Sequence, residues 1–210
     1  MERNHVIDLL KFTCAILVVF LHTKSAYHDA LTPITRCAVP CFFMISGYLL
    51  FNGYNIGKER LKKNTINILK LTIWSTLLFA IVREFLSLKD GVLYLPTSKQ
   101  WSDFLLFNQN PFVFHLWYLS AYLYVLLIVS IFDKYNKWQI LFYFIPVLLL
   151  GDLILGKYSL VLLNKEFPYV WVRNFLFVGL PYFSLGAWIK KDDSRNAILT
   201  NICYQGYFYS

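Results

Sequence analysis

Apolar residues fall in long runs along this chain, separated by short polar stretches, and the runs recur from one end to the other. Crossing about 30 Å of hydrocarbon as a helix takes roughly 20 mostly apolar residues. The pattern predicts such spans at about 5–23, 34–51, 65–82, 114–132, 138–155 and 171–189. The expected fold is therefore all-α, a polytopic membrane bundle of about six transmembrane helices making one domain over residues 1–210. The longest connection, 83–113, mixes apolar residues with Gly, Pro and polar ones. It reads either as a surface-lying or re-entrant cover or as an ordinary amphipathic link. The last twenty residues, "KDDSRNAILTNICYQGYFYS", start as a polar cytoplasmic loop and carry no convincing further span.

Composition agrees with the pattern. The chain is 58% hydrophobic and only 15% charged, well below the quarter usual for soluble domains. A formal charge of +8 raises the question of nucleic acid, but the basic residues sit in the short connections between spans, which is a topology signal. With the N-terminus cytoplasmic, the segments 1–4, 52–64, 133–137 and 190–210 hold ten Lys or Arg, against six in 24–33, 83–113 and 156–170. The run "GKERLKK" at 57–63 reads as a positive-inside anchor, with a dock for an anionic cofactor as the alternative. Arg3 ahead of an apolar run mimics a signal peptide, yet Asp8 and Lys11 interrupt that run and no small-residue cleavage site follows. An uncleaved first helix is expected. Cys14, Cys37, Cys41 and Cys203 show no CxxC spacing, and the Cys and His residues lack ligand spacing, so the reading is packing cysteines and no metal site.

Ionisable groups at membrane depth are costly and call for an explanation. Lys11 and His22 bracket "KFTCAILVVFLH", and eleven residues at 3.6 per turn put them on one stripe about 16 Å apart. Asp8, three residues earlier, falls on the same line and offsets the lysine locally. Lys11 is also placed to snorkel to the interface. His22 is a candidate general base, since an imidazole titrates near neutrality; an interfacial histidine is the plainer alternative. In "RCAVPCFFMISGYLLF", Arg36 is expected near the head of the second span, at the depth of His22, and Ser46 with Gly47 permits close backbone approach. "HLWYLSAYL" opens the fourth span with His115, and "VRNFLFVGLPYFSLGAWI" opens the sixth with Arg173. All four groups, His22, Arg36, His115 and Arg173, are expected toward one membrane face.

Together these segments resemble the acyltransferase 3 family of integral-membrane O-acyltransferases. The resemblance is carried by Lys11 to His22, the preceding "IDLLKF", "RCAVPCFFMISGYLL", "HLWYL" and "RNFLFVGLPYFSLGAWI", in that order, over residues 5 to 189. It implies transfer of an acyl group, commonly acetyl, from cytosolic acyl-CoA to a hydroxyl of a cell-surface polysaccharide, another glycan or a lipid-linked acceptor, as in O-acetylation. No permanently bound cofactor is implied; acyl-CoA is a substrate. His22 matches the histidine regarded as catalytic, Lys11 the basic residue of its motif, and Arg36 an arginine of the donor site. Asp8, His115 and Arg173 are expected in supporting roles. Members usually have about ten spans, so the chain reads as the N-terminal portion or a truncated member, multi-pass in the plasma or inner membrane. A non-catalytic remnant and a transporter-like protein are the alternatives.

Overall fold

The structure, a computed structural model, describes residues 5–23, 28–89 and 91–208, with the side chains of 28, 29, 157, 169 and 196–208 left aside. Residues 1–4, residues 24–27 of the first connection and the Cys203 side chain fall outside this description. Among the described residues every regular element is helical: α1 (His5–His22), α2 (His28–Thr35), α3 (Ala38–Leu50), α4 (Lys58–Lys89), α5 (Ser98–Phe107), α6 (Trp117–Lys134), α7 (Trp138–Asp152), α8 (Ser159–Leu163), α9 (Tyr169–Val172) and α10 (Leu180–Phe208). Five stretches are long and apolar enough to cross a membrane: His5–His22, Ala30–Leu50, Lys58–Lys89, Phe114–Lys134 and Trp138–Gly156. The chain is a multi-pass membrane bundle. It packs as two compact units, Met1–Ile56 with Tyr182–Ser210, and Gly57–Pro181.

In the first unit α1 packs on α2 and α3. Its packed face runs through Ile7, Lys11, Cys14, Val18 and Leu21, with Cys14 at the centre, only 2% exposed. The opposite face, Val6, Leu9, Phe12, Ile16, Val19 and Phe20, is exposed apolar surface suited to lipid tails. The expected second span is broken. α2 ends at Thr35, Arg36 and Cys37 form a turn, and α3 starts at Ala38 with Pro40 in its first turn, where a missing N–H costs nothing. α3 then crosses α10 at glycines. A Cβ on Gly47 would run into the backbone carbonyl of Phe183, and one on Gly186 into that of Met44. Glycine at both points lets the two backbones touch, the small-residue mode of packing in membranes. Farther along, Lys190 Nζ lies 4.9 Å from the centre of the Tyr48 ring.

In the second unit α4 and α6 form the main helix pair, linked by Asn64 Nδ2 donating to Tyr122 Oη at 3.0 Å. α4 has 32 residues, about 48 Å of helix, because "KERLKK" and "REFLSLK" are rich in good helix formers that extend the 65–82 span at both ends. The connection after it contains α5, an amphipathic helix rather than a structureless loop. α5 opens with a full capping box: Thr97 Oγ1 accepts from Gln100 N, and Gln100 Oε1 accepts from Thr97 N at 2.7 Å. Asparagines in the left-handed region, at φ 55, 57 and 49, follow α5, α6 and α8 at Asn108, Asn136 and Asn164.

Two expectations need correction here. The predicted sixth span, 171–189, is not one helix: α9 ends at Val172, Arg173 and Asn174 break the chain, a π-helical turn occupies Phe175–Gly179, and α10 starts at Leu180. Pro181 has no N–H to give, and it follows closely on the π-helical turn, where the regular i→i−4 ladder is already interrupted. Residues 190–208 are not a polar loop either, since α10 runs on to Phe208. "KKDDSRNAIL" is charged but holds no helix breaker.

Candidate functional site

The first unit carries the Lys11–His22 line. α1 is unbroken from His5 to His22, so both residues belong to one helix at the expected spacing. Lys11 Nζ lies 3.6 Å from Asp8 Oδ1, an ion pair one turn apart with both side chains more than a third exposed. The line coincides with the packed face at Lys11 and Val18 but leaves it at Ala15 and His22, which are exposed. Cys14, not Ala15, fills the helix interface.

Arg36 lies two residues ahead of α3, and the eight residues of α2, about two turns of helix, precede it. It sits exposed in the α2–α3 turn, its N–H donating to Thr32 O at 3.0 Å. Ser46 Oγ bonds back to Phe42 O at 2.8 Å, and Gly47 is committed to the α10 crossing.

In the second unit the "HLWYL" and "RNFLF" segments meet. The Arg173 guanidinium lies 4.8 Å from the centre of the Trp117 ring, a cation–π contact. His115 occupies the 3-10 turn Phe114–Leu116 that opens α6, edge-on to Phe114. Two asparagines hold this corner together. Asn108, fully buried, donates from Nδ2 to Trp117 O at 3.2 Å and accepts the Phe175 N–H at 2.9 Å. Asn174 Oδ1 accepts the N–H groups of Leu176 and Phe177, and its Nδ2 donates to Trp171 O at 2.8 Å. Asn174 stands beside Arg173 at the predicted opening of the sixth span, whereas Asn108 was not singled out, since "FNQNPF" gives only the hint that polar amides stand between apolar runs.

Two cavities open in the same unit. One, of about 420 Å³, is almost wholly apolar and lies between α5, α9 and the π-helical turn, against Phe107, Trp171 and Phe175. The other, of about 320 Å³, is polar on much of its wall, with Arg83, Tyr94, Gln100, Asp103, Gln109 and Asn110. Among the described residues no group of His, Cys, Asp and Glu is arranged to hold a metal ion.

An acyltransferase domain family, acyltransferase 3, matches residues 4–199. The chain belongs to the acyltransferase 3 family. The match takes in α1 to α9 and most of α10, hence both units. Two proteins of Enterococcus faecalis, each named amino-acid racemase, are similar to it. One is 28% identical over 97% of this chain and 32% of its own length; the other is 26% identical over 92% and 29%. The chain thus spans about a third of the length of these relatives. No solved structure matches it.

Proposed function

We propose that this membrane domain moves an acyl group, acetyl in the simplest case, from cytosolic acyl-CoA to a hydroxyl of an extracytoplasmic glycan or lipid-linked acceptor. Membership of an acyltransferase family over residues 4–199 carries the reading. The unbroken α1, with Asp8, Lys11 and His22 along it, supports it. In the proposed reaction the acceptor oxygen attacks the thioester carbonyl, and a ring nitrogen of His22 takes the hydroxyl proton. The C–S bond breaks, CoA leaves as the thiolate, and the imidazolium returns the proton to sulfur. Lys11, held along α1 by Asp8, offers its ammonium to a phosphate of the donor. Arg36 supplies positive charge at the donor site. The N-terminus is taken as cytoplasmic, in line with the bias of Lys and Arg.

A second reading follows from the printed name of the two relatives, amino-acid racemase. On that reading the domain handles an amino acid; the transporter-like alternative, in which ionisable groups at membrane depth line a solute path, makes that amino acid the solute to try. Membrane vesicles containing the chain, given labelled acetyl-CoA outside or a labelled amino acid, separate the two. Label on a glycan or lipid fraction supports transfer. Amino-acid uptake without acetyl transfer overturns it, and neither signal marks a remnant without activity.

A further inference from the structure

α5 is the reverse of a helix on a water-facing surface. Trp101, Leu105 and Leu106 are exposed on it, whereas Gln100 and Asp103 are partly buried and line the polar cavity of about 320 Å³. The segment leading into α5 exposes Val92, Leu93 and Leu95 as well. Apolar side chains exposed over one stretch of a membrane protein mark a surface that meets lipid. Arg83, also on the cavity wall, stands directly after the apolar run 65–82 of α4, where a span reaches the membrane–water boundary. The cavity is thus a polar space at headgroup level, set among lipid-facing residues.

Its wall is held in place before any ligand arrives. Tyr94 Oη donates to Pro111 O at 2.8 Å and accepts from Gln100 Nε2 at 3.0 Å, while Tyr94 N donates to Glu84 Oε2 at 3.3 Å. Asn110 Nδ2 donates to Thr76 Oγ1 at 2.9 Å. The charged lining residues are Arg83 and Asp103, and no ion pair joins them. The Arg83 guanidinium is stacked 4.5 Å from the centre of the Tyr94 ring, and its N–H donors meet no acceptor among the described residues. The side chains of Asp103 and Gln109 make no hydrogen bond to the described residues either. Gln109 N donates to Asp103 O at 3.2 Å, which keeps these two together. One cavity therefore offers a planar cation with free donors and, apart from it, a carboxylate and an amide carbonyl with nothing to accept.

We propose that this cavity holds the headgroup of a phosphatidylethanolamine molecule of the bilayer. A guanidinium fork matches two phosphate oxygens, and a primary ammonium brings three N–H donors to the Asp103 carboxylate and the Gln109 carbonyl. Both charges of the wall and both charges of the headgroup are then paired. A phosphate without a cation leaves Asp103 unmatched, and a choline has no N–H to give. The acyl tails run out over the exposed apolar residues of α5 and of the segment before it. An ethanolamine headgroup carries no hydroxyl, so this lipid is not the acceptor of the proposed transfer. The site stands whether or not the chain transfers acyl groups.

The test titrates the full chain in detergent micelles with phosphatidylethanolamine, phosphatidylcholine and phosphatidylglycerol of identical tails, reads binding by native mass spectrometry, and adds free alanine as a competitor. Phosphatidylethanolamine should bind about tenfold more tightly than either of the others, the usual consequence of one charge-assisted hydrogen bond. Arg83→Gln should weaken all three lipids by about tenfold, because they share the phosphate. Asp103→Asn should erase the preference for ethanolamine and leave the rest of the binding in place. Gln109→Ala should narrow the preference too; it removes no side-chain hydrogen bond to the described residues, and it keeps the test sound where Asp103→Asn harms folding. Equal binding of the three lipids by the wild-type chain, or a preference untouched by Gln109→Ala and by folded Asp103→Asn, overturns the proposal. Displacement of the lipid by alanine marks a site for free zwitterions and overturns it as well.

Discussion

Asn108→Ala removes the side chain that ties α5, the head of α6 and the π-helical turn together. The substitution deletes the bond to Trp117 O, an acceptor that α6 already uses, for a net loss of about 1 kcal/mol. It also leaves the Phe175 N–H in a partly buried corner without its acceptor, which costs about 1–3 kcal/mol. Alanine must further hold φ near 55, a left-handed conformation costing an L residue about 1–2 kcal/mol. The sum is about 3–6 kcal/mol, a large share of any domain's stability. Asn108→Gly loses the same bonds without the backbone penalty and should be milder by about 1 kcal/mol. Equilibrium unfolding in mixed micelles, followed by tryptophan fluorescence, measures both. A loss under about 1 kcal/mol for Asn108→Ala, or equal losses for Ala and Gly, would refute the reasoning.

Three further outcomes are expected. Gly47→Ala forces a methyl against the Phe183 carbonyl, a backbone group that cannot rotate away, and should cost about 1–3 kcal/mol in the same unfolding assay. Thr97→Ala removes one half of the capping box and should lower stability by about 1 kcal/mol, with amide exchange rising through the first turn of α5. Asp8→Asn should change stability by no more than about 0.5 kcal/mol, as for other partly exposed helix pairs. Lys11→Met, by contrast, should raise the KM for acyl-CoA, and an unchanged KM would leave Lys11 as a partner of Asp8 alone.

Much of the bundle is legible in hydropathy because lipid-facing and core-facing positions are both apolar, so a span shows as a run whatever its neighbours. The Lys11–His22 spacing is legible for a similar reason: a continuous helix fixes it. What hydropathy misses is helix beyond the apolar run. α4 and α10 continue through charged segments, since Lys, Glu and Arg propagate helix well, and an apolar run stops where those extensions begin. Long-range polar bonds are equally hidden. Asn108 and Phe175 are 67 residues apart, and nothing local in "FNQNPF" announces that its amide will hold the N–H ahead of a distant π-helical turn. The helix α2 ahead of Arg36 is hidden as well, because with Pro33 and mixed polarity it does not read as part of a span.

The central claim is tested most directly by acetyl transfer from labelled acetyl-CoA in membranes holding equal amounts of folded wild-type and His22→Ala protein. With His22 as the general base, the variant should lose about 10²–10⁴-fold in transfer rate while its unfolding midpoint stays unchanged. Transfer at the wild-type rate by His22→Ala would contradict the account.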